Sequence, residues 1–236
     1  MRPRRRLILL TVVVLLIIVV GYLTAQRPKS IGGWGMLIDL DNDCTVKDEG
    51  GKLTITIPGG IHDLNKQLGG MSAPRLLREV DGDFTIQVKV SGEFDPGDEA
   101  AKRDERDIAP FCSAGLLLWQ DEGNYLRLER NGWWSKADNT VACYAPLIEY
   151  YLNGQFQGPK PGVASADFFE GRSTWLKLER RDGKVTPFYS HDGQDWTAAK
   201  EITVEFPPRI QAGIAAVNTS KKPFTVEFEE LEVIGK

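Results

Sequence analysis

Residues 114 to 130 read AGLLLWQDEGNYLRLER: an apolar run, a polar turn and an alternating run that follow one another without a break. This order predicts a β-hairpin whose two strands are joined by a tight polar turn. Successive side chains of a strand point to opposite faces, so Leu116, Leu118, Leu126 and Leu128 are assigned to a core, and Tyr125, Arg127 and Glu129 to the other face. Fifty residues after Tyr125-Leu126-Arg127-Leu128-Glu129-Arg130 a second such phrase occurs, Trp175-Leu176-Lys177-Leu178-Glu179-Arg180, and FYSHDGQDW follows at 188 to 196. These phrases point to an all-β sandwich.

Working outward, no stretch beyond the first twenty-five residues sustains a 3.6-residue period. Short Val, Ile, Leu, Thr and aromatic runs instead recur between Gly, Pro, Asn and Asp clusters, the spacing of a sandwich or barrel. Strands are expected at Lys52 to Ile57, Arg75 to Val80, Asp83 to Val90, Thr140 to Ala145, Ile148 to Leu152, Trp175 to Arg181, Lys184 to Ser190 and Ile210 to Val217. From Phe224 the apolar series Phe224, Val226, Phe228 slips by one residue at Glu229-Glu230 before Leu231 and Val233, which predicts a β-bulge. The charges crowded between Ser91 and Pro110 read as an exposed loop that buries nothing.

Arg2, Arg4, Arg5 and Arg6 precede nineteen uncharged residues, Leu7 to Ala25, rich in Leu, Val and Ile. That length crosses a bilayer as one helix. Basic residues stay on the cytoplasmic side, so the chain is expected at the cell membrane with a single pass: a basic tail at 1–6, the membrane segment at 7–25, a spacer at 26–33 and an extracytoplasmic domain at 34–236. A cleaved signal with Leu23-Thr24-Ala25 as its processing site is the alternative. With the five arginines before Pro28 set aside, 24 basic residues face 33 acidic ones, near minus nine for the exported part. Nucleic acid is therefore excluded as a partner, because phosphate binding needs clustered cations. Cys44, Cys112 and Cys143 allow at most one internal disulfide, Cys112 to Cys143 being the pairing whose strands could be neighbours, with three buried free thiols as the alternative, and without a CxxC pair they give no thiolate zinc motif.

AGLLLWQDE with Asn124-Tyr125, then WLKLER, SHDGQDW, Ala212-Gly213-Ile214-Ala215-Ala216 and Phe228-Glu229-Glu230-Leu231 together resemble a domain family of unknown function in the concanavalin A-like lectin and glucanase superfamily. The resemblance covers most of Trp34 to Ile234. It implies a jelly roll of two antiparallel sheets, preceded here by the N-terminal transmembrane helix, and likeness to the accessory domain of certain xylosidases. It implies no activity and transfers no functional residue, since function lives in sites rather than folds.

Retaining glycosidases of this fold hold two carboxylates about 5 Å apart on one strand. The nearest phrase, Glu93-Phe94-Asp95-Pro96-Gly97-Asp98-Glu99, is broken by Pro and Gly, so no catalytic residue is assigned. Sugar recognition needs aromatic faces and a few planar polar groups. Trp119, Tyr125, Arg127, Glu129, Trp133 and Trp134 are the candidate ligand-binding residues, two adjacent tryptophans being unable to face one core. Should the 125–130 and 175–180 strands share a sheet, Arg127, Glu129, Lys177 and Glu179 would instead make wet cross-strand ion pairs worth a few tenths of a kcal/mol each. Trp175 and Trp196 read as core. Asp39-Leu40-Asp41-Asn42-Asp43 suggests a calcium loop; Cys44 and Gly50 stand where a helix-loop-helix site needs Gly and Glu, which leaves a structural calcium of another kind or an ordinary polar strand end. His62-Asp63 is the better functional choice of the two histidines, weighed against a structural one. No metal ligands or cofactor are assigned. The reading is non-catalytic recognition of a carbohydrate or other cell-envelope polymer, with a glycoside hydrolase or lyase, and a structural or protein-interaction module, as alternatives.

Overall fold

A computed structural model of the chain describes residues 29–66, 70–102, 108–143, 146–161 and 173–235. The basic tail and the expected membrane segment lie outside the described residues. Among the described residues no helix is long and apolar enough to cross a membrane.

The chain forms two antiparallel sheets packed as a sandwich. One runs β1 (Lys29–Ile31), β2 (Gly35–Ile38), β5 (Arg75–Asp81), β16 (Arg209–Asn218), β7 (Phe111–Asp121), β8 (Asn124–Ser135), β10 (Leu147–Leu152) and β11 (Gln155–Pro161), with β9 (Thr140–Ala142) against the end of β8. The other runs β14 (Thr197–Ala198), β13 (Lys184–Ser190), β12 (Ser173–Arg181), β6 (Phe84–Gly92), β17 (Phe224–Gly235), β4 (Lys52–Ile57) and β3 (Thr45–Glu49), with β15 (Ile202–Thr203) on β13. The first sheet begins inside the stretch read as a spacer, because β1 pairs with β2.

The opening hairpin is β7 and β8. Asp121 makes the turn, its Oδ1 accepting from Gly123 N at 2.7 Å and Asn124 Nδ2 at 3.0 Å. Leu116 lies opposite Leu128 and Leu118 opposite Leu126, all four fully buried between the sheets with Ile86, Val88, Leu176, Leu178, Val226 and Phe228. Burying each such side chain contributes about 1.5–3 kcal/mol. The expected bulge is present: Glu230 has φ of 55°, and the register of β17 on β6 shifts between Glu229 and Glu232.

Four expectations are corrected. The strand expected over Thr140 to Ala145 ends at Ala142 where it is described. β8 and β12 belong to different sheets, so Arg127 and Glu129 cannot pair with Lys177 and Glu179. Trp175 and Trp196 are half-buried on the outer face of the second sheet, because Leu176 and Leu178 take the core positions and alternation turns Trp175 outward; Lys177 Nζ lies 4.2 Å from the Trp196 ring centre. The 91–110 segment is not wholly exposed: Phe94 and Ile108 are buried, and Phe94 packs edge-on against Phe224 at 5.2 Å.

Candidate functional site

The face of the first sheet turned away from the second carries a smaller core of its own. Leu77, Leu117, Trp119, Tyr125, Tyr151, Ala215 and Val217 of the sheet pack there with Leu64 and Ala73. Trp119 stacks on Tyr125 at 5.3 Å, Tyr125 on Tyr151 at 4.9 Å, and Tyr151 meets Phe156 at 5.1 Å, forming an aromatic row across four strands. The connection before β5 roofs this row. Tyr125 Oη donates to the Leu64 carbonyl, Tyr151 Oη donates to Asn65 Oδ1 at 2.8 Å, and Arg75 lies 4.7 Å over the Trp119 ring.

Beside the aromatics sits a buried ionic cluster. β8 presents Arg127 and Glu129, two residues apart and hence on one face, while β10 places Glu149 directly opposite Arg127. Asp63 enters from the roof. Arg127 Nη1 stands 3.6 Å from Asp63 Oδ1 and 3.6 Å from Glu129 Oε1, and Nη2 pairs with Glu149 Oε2. Tyr125, Arg127 and Glu129 are 0%, 2% and 1% exposed, which places them under the roof and not in an open groove. Burial raises the Asp63 and Glu129 carboxyls, with Arg127 pulling both back. For Arg127 burial works against the charge, but Glu129 and Asp63 outweigh it and the guanidinium is raised. Ser113 faces Glu129 without reaching hydrogen-bond geometry.

A cavity of about 240 Å³ opens onto this cluster, lined by Asp63, Asn65, Arg127 and Glu149 and by Ile108, Ala109, Phe111 and Thr219. Among the described residues Arg127 Nη1 and Nε have no hydrogen-bond acceptor, and both atoms are enclosed by the surrounding protein. The wall thus sets the Arg127 guanidinium beside the carboxyl groups of Asp63 and Glu149 and the amide of Asn65. Of the six residues expected to bind a ligand, register brings Trp119, Tyr125, Arg127, Glu129 and Trp133 to this face of the sheet. Only Arg127 lines the cavity; Trp133 lies opposite the cavity residue Phe111, and Trp134, one residue on, faces the other way. Sequence reasoning missed Asn65 and Glu149, whose place depends on which strand β10 joins. Two acids of the 93–99 phrase are taken by surface lysines, Asp95 by Lys222 at 2.9 Å and Glu99 by Lys221 at 2.6 Å. Cys44, Cys112 and Cys143 are free thiols.

No protein-family model matches the chain, and no curated protein matches it. Solved structures do. A functionally unknown protein from Saccharomyces cerevisiae aligns with a TM-score of 0.58 and 18% identity over 81% of this chain and 92% of its own. The GH43 protein BlXynB from Bacillus licheniformis, in mutant form, gives 0.57 and 15% over 89% of this chain, and a xylan β-1,4-xylosidase from Bacillus halodurans gives 0.50 and 13% over 89%. This chain spans only 38% and 41% of those two proteins. At such identities the likeness is one of fold, a β-sandwich of two antiparallel sheets.

Proposed function

We propose that this protein is a membrane-anchored, extracytoplasmic and non-catalytic domain that binds one sugar unit of a glycan or cell-envelope polymer in the Asp63–Arg127–Glu149 cavity. One observation carries the reading: the cavity brings a guanidinium, two carboxyl groups and an amide, those of Arg127, Asp63, Glu149 and Asn65, onto one wall. A sugar hydroxyl both donates and accepts, so it satisfies both kinds of wall group at once. At about 240 Å³ the cavity is smaller than the ~300 Å³ at which drug-sized pockets begin. It therefore suits a single ring, reached at a chain end or branch.

The same geometry argues against hydrolysis. Glycosidase carboxylates flank the scissile bond across open space, whereas the Arg127 guanidinium occupies the space between Asp63 and Glu129. The apolar run at 7–25 supports the anchor, and the likeness in fold to the GH43 protein and the xylan β-1,4-xylosidase supports the sugar reading. The test is a glycan array probed with the full chain in detergent, followed by calorimetry on Glu149→Gln. Binding to a glycan, weakened tenfold or more by the substitution and leaving the oligosaccharide intact by mass spectrometry, is expected. Silence across the array overturns the sugar reading, and a cleaved oligosaccharide overturns the non-catalytic one.

A further inference from the structure

The loop Asp39 to Cys44 carries the chain from β2 in the first sheet to β3 in the second. Its shape is fixed locally. Asp39 Oδ2 accepts from Cys44 N at 3.1 Å, the Asp39 carbonyl accepts from Asn42 N at 3.3 Å, and Asn42 takes a left-handed φ of 54°. Neighbouring residues in extended chain point apart, but this turn aims both Asp43 and Cys44 at one place.

The third group there comes from another part of the chain. His62 is 4% exposed, and its backbone is held by Asn218 through two hydrogen bonds of 2.8 and 3.0 Å. Its ring passes so close to Gly60 that a Cβ at that residue would stand 2.9 Å from His62 Cε1. Nε2 lies 3.1 Å from each Asp43 oxygen, and Cys44 Sγ lies 3.6 Å from Asp43 Oδ1. One donor atom from each of the three residues falls within 4.8 Å of the others. Asp39 Oδ1 is buried next to this group with no hydrogen-bond partner among the described residues, and neither has His62 Nδ1.

We infer that Asp43, Cys44 and His62 form a Zn²⁺ site. An imidazole–carboxylate ion pair alone would account for His62 and Asp43, but not for a thiol turned onto the same point by a capped left-handed turn. Tetrahedral zinc with bonds of about 2.0 Å to N and O and 2.3 Å to S has N···O and S···O edges of about 3.3 and 3.5 Å; the observed edges are 3.1 and 3.6 Å. The donor set also decides the metal. Calcium and magnesium take oxygen ligands, whereas thiolate with imidazole selects zinc among the abundant divalent ions. A fourth position remains for water or for Asp39. The ion ties the crossover between the sheets to the segment that holds His62, and it does so whether or not the cavity nearby binds sugar.

The test uses the full chain in detergent, stripped with chelator and kept reduced with a phosphine. Zn²⁺ is titrated in competition with a chromophoric chelator, and Co²⁺ is added separately as a spectroscopic probe. One equivalent of each is expected, with a thiolate-to-Co²⁺ charge-transfer band in the near ultraviolet. Cys44→Ser should abolish the band, and both Cys44→Ser and Asp43→Asn should weaken zinc at least tenfold. Both changes lie on an exposed or half-exposed loop, and circular dichroism checks that each variant is folded. No binding by the parent chain, or binding that survives either substitution unchanged, overturns the site.

Discussion

Replacing Arg127 by Met tests whether the ionic cluster is a balanced buried unit. The substitution keeps a long side chain but removes the one cation among Asp63, Glu129 and Glu149, two of which are themselves almost wholly enclosed. Removing one partner of a buried ion pair costs about 3–5 kcal/mol, because the charge left behind has neither water nor counter-ion. For a domain of this size, at about 2–4 °C per kcal/mol, the melting temperature should fall by about 6–20 °C at neutral pH. The pH dependence gives the sharper test. Asp63 and Glu129 already titrate above the ordinary carboxylate range, and Arg127 is what holds them down, so in the variant they rise further. An acid raised in the folded state binds its proton more tightly there than in the unfolded chain. Its stabilising contribution is full below the unfolded value and is lost as pH climbs through the folded value, at up to about 1.4 kcal/mol per pH unit for each group. Arg127→Met should therefore lie close to the parent near pH 5 and fall away toward pH 8, and adding Glu129→Gln should recover part of the loss. Urea denaturation followed by tryptophan fluorescence across that range measures it. A pH-independent loss below about 1 kcal/mol would refute the reasoning and show that the cluster is solvated like a surface pair.

Two further substitutions probe what holds the roof and the hairpin. Tyr125→Phe removes the donor to the Leu64 carbonyl and should cost about 1–3 kcal/mol at every pH, measured by the same denaturation; a loss no larger than a few tenths would mean the carbonyl finds another donor. Gly115→Ala places a Cβ 2.1 Å from the Leu128 carbonyl oxygen and 2.7 Å from Glu129 Cα, contacts that only backbone movement can relieve. It should cost at least the ~1–3 kcal/mol of core overpacking, while Gly235→Ala, with nothing within 4 Å, should stay within about 0.5 kcal/mol of the parent. Equal melting temperatures for those two variants would contradict the observed pairing of β7 with β8.

The core face of the hairpin was legible because period-two alternation is a local property: Leu126 and Leu128 against Tyr125, Arg127 and Glu129 needs only one strand. The opposite face looked wet because alternation assigns sides but not roofs. A signal was nevertheless present in β7, where Leu116, Leu117, Leu118 and Trp119 run together without a polar residue. A strand apolar on both sides is covered on both sides, and since β8 pairs with β7, Arg127 and Glu129 share that cover. The cavity was less accessible. Asp63 and Glu149 reach Arg127 from 64 and 22 residues away, through a connection with no periodicity and a strand whose neighbour the sequence does not specify. Trp175 and Trp196 misled for a related reason: a large aromatic reads as core, yet lysines cover these outward-facing indoles, Lys89 that of Trp175 and Lys177 that of Trp196.

The His62-Asp63 pair, singled out in the sequence as one feature, is two. Consecutive residues of an extended segment face opposite ways, and here His62 turns to Asp43 while Asp63 turns to Arg127. The backbone between them is pinned on both sides, by the His62–Asn218 bridge and by Ala73 N donating to the Asp63 carbonyl at 3.2 Å. A cation at the proposed zinc site would thus act one residue away from a wall of the cavity. By fixing the segment it would remove part of the ordering cost of any ligand held by Asp63. Linkage makes that coupling reciprocal, so a cavity ligand would tighten the metal by the same factor. The two sites stand or fall separately by their own tests, but their energies meet in a single stretch of backbone.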